Sequence, residues 1–181
     1  DLGCGLGWHA AYARKSGARK VIGVDISERM LEKARQINAM DGIEYRRAAF
    51  EDVSFEEASF DVVLCSLMLH YLASYDAFLD KVTRWLRPGG MLLYNVEHPV
   101  FTAEGKQDWY YDENGRILHF PVDHYFLEGK RDAVFLGENV VKYHRTLTTY
   151  LEGLLKRGYT IRHCVEPGPT EEAMRGNPAM R

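Results

Sequence analysis

Asp1-Leu2-Gly3-Cys4-Gly5-Leu6-Gly7 opens the chain and decides its fold. A leucine followed by glycines on alternate positions reads as the end of a buried strand, turning into a helix through a loop almost free of side chains. Trp8 to Ser16 continues as that helix, and Gly17 stops it. A second apolar stretch, Val21-Ile22-Gly23-Val24, ends in Asp25, eighteen positions after Gly7. This is the layout of a βαβ unit that holds a nucleoside. The glycines let a ligand lie against backbone, and the acid at the next strand's tip takes ribose hydroxyls. The loop alone leaves two ligands open. Gly3-x-Gly5-x-Gly7 suits the amino-acid end of a nucleoside compound, whereas Gly5-x-Gly7-x-x-Ala10 also meets a loose dinucleotide fingerprint, with pyrophosphate at the helix N-terminus.

The 181 residues, 46% of them hydrophobic, can bury one substantial core, so one domain is expected. The net charge is −3, with no run of like charges. That argues against a nucleic-acid groove or an anionic membrane surface. No apolar stretch approaches the ~20 residues of a membrane helix. Cys4, Cys65 and Cys164 are odd in number and lack a C-x-x-C pair. That suits a reducing compartment, hence a cytoplasmic protein, better than a disulfide framework or a zinc site. The expected state is a monomer or homodimer, with neither nucleic acid nor membrane as partner.

Strand and helix alternate through the first two-thirds. Ser27 caps a helix whose Met30, Leu31, Ala34 and Ile37 share a face, and Asp41-Gly42 breaks it. Ile43 to Ala48 reads as a strand. Asp61 to Ser66 is nearly continuous in apolar residues, the pattern of a strand covered on both faces. Ser74 caps a helix that turns Phe78, Leu79, Val82, Trp85 and Leu86 inward and ends at Pro88-Gly89-Gly90. Met91 to Val96 is the next strand. Such alternation predicts a parallel sheet with right-handed crossovers. Beyond His98, residues 99–145 are rich in aromatics and turn formers and read as an insertion, with a hairpin around Ile117 to Phe126. Thr146 to Arg157 returns to helix and Tyr159 to Val165 to strand, with no strand in the tail. The single domain thus divides into a ligand-binding core (1–98), an insertion on the substrate side (99–145) and a C-terminal part (146–181).

Five pieces in order, D-L-G-C-G-L-G (1–7), V-I-G-V-D-I-S-E-R-M-L (21–31), A-F-E-D-V-S-F (49–55), F-D-V-V-L-C-S-L-M-L-H-Y-L (60–72) and L-R-P-G-G-M-L-L-Y (86–94), carry a resemblance. Together they resemble the class I S-adenosylmethionine-dependent methyltransferases, in their small-molecule, type 11-like branch. The resemblance implies an α/β, Rossmann-like doubly wound sheet, mostly parallel, of order 3-2-1-4-5-7-6. Of that sheet the sequence holds only the tip of strand one and no strand seven, so both ends of the native polypeptide are expected to extend further. The resemblance also implies S-adenosyl-L-methionine as cofactor and methyl transfer to oxygen, nitrogen or carbon of a small-molecule acceptor, by in-line displacement. Asp1, Gly3 and Gly5 would line the methionine part, with Asp1 near its ammonium. Asp25 would accept both ribose hydroxyls, Ile26 and Met30 would sandwich adenine, and Ser66 and Leu67 would offer backbone groups. The acid that often receives the adenine amino group is replaced by Ala49, so the Phe50 amide and Glu51 are expected to serve instead. Two rivals stand beside this reading. A nicotinamide dinucleotide-binding oxidoreductase leaves L-R-P-G-G and C-S-L-M-L-H-Y unexplained. A non-catalytic cofactor-binding partner subunit would share the fold.

A base is needed only if the acceptor must lose a proton. His98, just after a central strand at the sheet's ligand-binding edge, is the first candidate and His144 the second. His70, Tyr71 and Glu97 are expected to face the substrate, and His119, His124 and Tyr143 of the insertion are within the same reading. For any single histidine a surface or structural role is the commoner one. No metal site is expected, because Asp61, Asp76, Asp80 and Asp108 lack a ligand spacing.

Overall fold

The computed structural model of the chain describes residues 1–135 and 137–176. Strand β1 (Val21–Asp25) pairs in parallel with β2 (Ile43–Arg47), and β3 (Phe60–Ser66) in parallel with β4 (Leu86–Asn95). Leu2 joins the two ladders, bridging in parallel to Val24 and to Cys65. Its N–H donates to the Leu64 carbonyl at 2.8 Å, and the Val24 N–H donates to the Asp1 carbonyl at 2.9 Å. The strands therefore lie side by side as β2, β1, Leu2, β3, β4, and the carboxyl ends of β1, Leu2, β3 and β4 share one edge.

Helices α1 (Trp8–Lys15), α2 (Glu28–Ile37) and α3 (Tyr75–Trp85) make the crossovers. The Ser27 hydroxyl accepts the Met30 N–H at 3.3 Å and the Ser74 hydroxyl accepts the Ala77 N–H at 3.1 Å, satisfying donors that no turn of helix can reach. The heptad-like spacing of α3 buries Tyr75, Phe78, Leu79, Val82 and Trp85 in one core with Leu2, Val24, Val63 and Cys65. After β4 come α4 (Pro99–Ala103), the antiparallel pair β5 (Tyr110–Tyr111) and β6 (Ile117–His119), and the antiparallel hairpin β7 (Gly129–Phe135) with β8 (Glu138–His144). Helix α5 (Leu147–Leu155) adds Tyr150 and Leu154 to the core, and α6 (Glu171–Gly176) lies in the tail. The tail's last five positions fall outside the described residues.

Four elements differ from the sequence reading. Helix α3 stops at Trp85 rather than at Pro88, because a proline disfavours helical backbone at the residue before it. Leu86 instead pairs with Phe60, and the register slips between Phe60 and Val62. The run Asp61–Ser66 is covered on one face only, since Val62 is 49% exposed, as are Met91 (49%) and Leu93 (55%) on β4. The hairpins form at 110–119 and 129–144, not at Ile117 to Phe126. The Asp112 carboxylate takes the N–H groups of Asn114 and Arg116 at 2.9 and 2.8 Å, which closes the first turn locally. Tyr159 to Val165 is not a strand. Tyr159 and Ile161 pack on the core, but no ladder partner flanks them among the described residues.

Two glycines in the βαβ unit make room for one ring. A Cβ on Gly7, which sits at φ +75°, would collide with the Tyr45 hydroxyl, and one on Gly23 would lie 2.9 Å from the Tyr45 ring. Tyr45 in turn donates to the Asn38 carbonyl at 3.0 Å, and the Asn38 amide donates to the Leu6 carbonyl at 2.8 Å, so β2 and the end of α2 hold the loop in place. We expect Gly23→Ala to lower stability less in a Tyr45→Ala background than in the wild type. The double-mutant coupling should be about 1 kcal/mol or more, as for other contacting pairs. Urea midpoints of the four proteins measure it; strict additivity would remove Tyr45 as the cause.

Candidate functional site

The loop after Leu2 is held from the next strand. The two oxygens of Asp25 each accept one backbone N–H, from Gly5 and from Ser27, both at 2.8 Å. A carboxylate offers about four lone-pair positions, so each oxygen keeps one for a hydroxyl arriving from outside. Gly5 has φ +51°, and a Cβ there would meet nothing within 4 Å. The space over Gly5 is thus open for a ligand to lie on backbone, whereas Met68 fills the space over Gly3. Both carboxylate oxygens of Asp1 are buried without a hydrogen-bond partner among the described residues. A carboxylate left so is costly, and a cation resolves the cost.

Ile26 and Met30, beside Asp25, are 68% and 45% exposed, free to receive a flat apolar ligand. A cavity of about 610 Å³ runs from Leu6 and Ser27 along α2, past Met30 to Arg29, Glu32, Lys33 and Gln36, beside but not including Asp25 and Ile26. Phe50 turns its ring into the core, 5.4 Å from Phe78, so only its backbone is left for a ligand. Glu51 is exposed in the same short turn, and the Lys81 ammonium ties the turn by its carbonyls, Glu51 at 2.6 Å. Ser66 ends β3. Leu67 follows at φ +53°, a backbone state that a leucine rarely adopts. Its N–H is taken by Asn95, through the carbonyl at 3.1 Å and the side-chain oxygen at 3.0 Å, which leaves the Leu67 carbonyl as the free group. Asn95 was not legible as part of the site.

The histidines divide by their partners. His98 caps α4: its Nδ1 accepts the Val100 N–H at 3.1 Å, so its Nε2 carries the proton and meets Glu166 at 2.5 Å. Both ring nitrogens are engaged. His144 is fully buried, with Nδ1 2.8 Å from the Thr102 hydroxyl and Nε2 2.8 Å from the Tyr125 carbonyl, so it too has no free lone pair. His70, in the single turn after β3, differs. It is 2% exposed, its Nδ1 has no partner among the described residues, and its Nε2 stands 3.9 Å from Glu97. Burial pushes its pKa down to about 4, with the positive charges of Lys142 and Arg145 opposing the pull of Glu97. His119 and His124 lie exposed in the insertion and Tyr143 half-buried on β8, apart from this cluster's hydrogen bonds.

Glu97 is the hub of a group from three segments. Its Oε1 accepts the Lys142 ammonium at 2.6 Å and its Oε2 the Gln107 amide at 3.1 Å, while Gln107 Oε1 accepts Lys142 at 2.8 Å. The Tyr71 ring lies against His70 at a 50° tilt, with centroids 4.4 Å apart. Lys142 and His144 alternate on β8 and both point inward, which a buried polar residue tolerates only with its partners in place. Among the described residues no three His, Cys, Asp or Glu side chains group as metal ligands, and no helix is long and apolar enough to cross a membrane.

Comparison with known proteins sets this edge in context. A methyltransferase domain family matches residues 1–94. The chain is similar to a Listeria monocytogenes protein solved as an S-adenosylmethionine-dependent methyltransferase, at 50% identity over all of this chain and 81% of that one, with TM-score 0.94. It is similar to an S-adenosylmethionine-dependent methyltransferase from Mesorhizobium loti, at 38% identity over 99% of this chain and 82% of that one, with TM-score 0.88. A fatty-acid O-methyltransferase of Mycolicibacterium smegmatis is 33% identical over 102 residues, 56% of this chain; the chain spans only 37% of that enzyme's length.

Two outcomes follow from these environments. Asp25→Ala should weaken S-adenosylhomocysteine binding by roughly 1.5–3 kcal/mol for each charged hydrogen bond lost; calorimetry giving an unchanged affinity would take Asp25 out of the site. His70 and His144 both have folded pKa values below the ordinary histidine value, burial being the main cause. The unfolded chain therefore takes up protons first as pH falls. Their stabilisation is complete above about pH 6.5 and is lost below it, at up to about 1.4 kcal/mol per pH unit for His70, whose pKa lies near 4, with His144 adding in the same direction. Urea midpoints between pH 7 and 5 measure this, and His144→Asn should reduce the slope.

Proposed function

The chain belongs to the S-adenosylmethionine-dependent methyltransferases, a methyltransferase-domain family matching residues 1–94, and we propose that it methylates a small molecule held where β3 and β4 end against the insertion. The buried, partnerless carboxylate of Asp1 is the observation that carries this reading, because the amino-acid end of the cofactor brings an ammonium and little else in the site would neutralise it. When bound, S-adenosylmethionine supplies a methyl group on positively charged sulfur, an electrophile that needs no metal.

The chain's own residues have three tasks. Asp1 holds the ammonium, Asp25 orients the ribose, and the bare backbone of Gly5 admits the ligand to close approach, while Gly3 gives its space to the Met68 side chain. Ile26 and Met30 flank the adenine, with the Phe50 backbone and Glu51 at its polar edge, and Ser66 and Leu67 border the sulfur side through main-chain groups. On the acceptor side we place His70, Tyr71 and Glu97 at the sheet edge. The insertion, 99–145, closes over them. Its Phe101 and Phe120 stack at 5.2 Å, with Trp109 edge-on to Phe120 at 5.5 Å, forming an apolar wall that would exclude water from a displacement reaction. His98 and His144, both engaged at each ring nitrogen, hold α4 and β8 in position.

The acceptor atom we favour is oxygen or nitrogen bearing a proton, since a buried neutral imidazole has a use there. The full-length protein, given tritiated S-adenosylmethionine and a deproteinised cell extract as acceptor pool, should move label into the small-molecule fraction. Label confined to protein or RNA would sink the proposal. Tighter binding of NADH than of S-adenosylhomocysteine would do the same.

A further inference from the structure

The cluster around Glu97 contains a residue whose only route to the reaction is electrostatic. Lys142 is 1% exposed and comes from β8, forty-five positions away in sequence from the carboxylate it meets. Its ammonium is held by Glu97 and Gln107 and lies near two aromatic faces, 6.0 Å from the Tyr71 ring centroid and 5.4 Å from that of Phe135. Glu97 therefore has both oxygens fixed from the insertion and cannot swing onto His70. The separation of 3.9 Å from Nε2 is too long for a hydrogen bond but short for charge. The other charged group packed against this turn, Arg145, spends its guanidinium on the Leu69 and Leu72 carbonyls, which fixes the turn that carries His70. The Tyr71 ring packs against the imidazole at a 50° tilt. Neither ring nitrogen makes a hydrogen bond: Nε2 faces the Glu97 carboxylate across 3.9 Å, which favours the proton there, and the lone pair is then on Nδ1, buried and without a partner among the described residues.

We propose that His70 Nδ1 accepts the acceptor's proton, and that Lys142 is the positioning residue that keeps it able to do so by holding and neutralising Glu97. This rests on the methyltransferase reading above. In the step, the acceptor's oxygen or nitrogen forms a bond to the methyl carbon while the sulfur–methyl bond breaks and its electron pair stays on sulfur, leaving a neutral thioether. The acceptor's proton passes to Nδ1. An oxygen that carries both a new methyl and its old proton is strongly acidic, so a weak base suffices there; an alkylammonium is not, so the step fits an oxygen acceptor. Glu97 then stabilises the imidazolium across 3.9 Å. With the ammonium gone, the same carboxylate would protonate His70 beforehand and fill the lone pair.

The test follows the imidazole in the S-adenosylhomocysteine complex of the full-length protein, by NMR titration with labelled histidine. The wild-type His70 ring should stay neutral to pH 5 or below. Lys142→Gln, which retains a hydrogen-bond donor without charge, should raise its midpoint by a pH unit or more, and Lys142→Arg should restore it. Adding Glu97→Gln to Lys142→Gln should also bring it back down. An unmoved midpoint in folded Lys142→Gln overturns the role of Lys142. Label transfer to the extract then reads the base: His70→Gln should lower it at least tenfold at saturating cofactor with unchanged cofactor affinity, and Lys142→Gln should move the acid limb of its pH profile upward. Full transfer by His70→Gln overturns the base. Absence of label with the wild type would count against the methyltransferase reading, while the titration would still decide whether Lys142 controls His70.

Discussion

The fold depends on a few hydrogen bonds made by two residues of backbone. Asp1 and Leu2 lie between β1 and β3 and exchange main-chain hydrogen bonds with both, at 2.8 to 2.9 Å. Everything that approaches a ligand is aimed from that seam. The glycine loop leaves it directly, Asp25 ends the strand on one side, and Ser66 to Tyr71 leaves the strand on the other. Parallel strands place their carboxyl ends on one edge, so residues remote in sequence converge there without any segment having to bend out of its element.

Polar burial is the second constraint. The core is apolar, but beside it lie a carboxylate without a partner, an ion pair with both charges largely buried and two buried histidines. Charge that a protein takes out of water is expensive unless it is met by a specific partner. Lys142, Glu97 and Gln107 meet one another; His144 meets Thr102 and Tyr125. Asp1 and His70 Nδ1 remain open. The difference separates groups that serve the fold from groups that await something, and it falls on either side of the sheet edge, one toward the glycine loop and one toward the insertion.

Much of the first hundred residues could be read from local pattern. Ser27 and Ser74 act as caps where their positions before amphipathic runs put them. The inward face of α3 contains the side chains its period selects, apart from Leu86, which a proline two positions later moves into a strand. The open face at Val62, Met91 and Leu93 was not legible, because an apolar strand reads the same whether one or both faces find cover. The insertion was harder still. Its hairpins are set by turns such as Asp112 with Gly115 and by inward polar residues on β8, which break the alternation that marks a strand. Tyr159 to Val165 shows the converse: strand-like composition forms no strand where no neighbour supplies hydrogen bonds.

The candidate site divides along the same line. The sequence by itself determined the nucleoside-binding half, since Gly5, Asp25 and the helix between them lie within one βαβ unit and their spacing is their geometry. Only the tertiary structure decided the acceptor half. Nothing local distinguishes His70 from His98 or His144; what separates them is which ring nitrogens find partners, and those partners stand 19 to 68 positions away for Tyr125, Thr102 and Glu166. Lys142 is an ordinary surface-type residue in the sequence. It acquires its role because β8 packs against the turn after β3 and against α4, which leaves its ammonium no solvent to turn to.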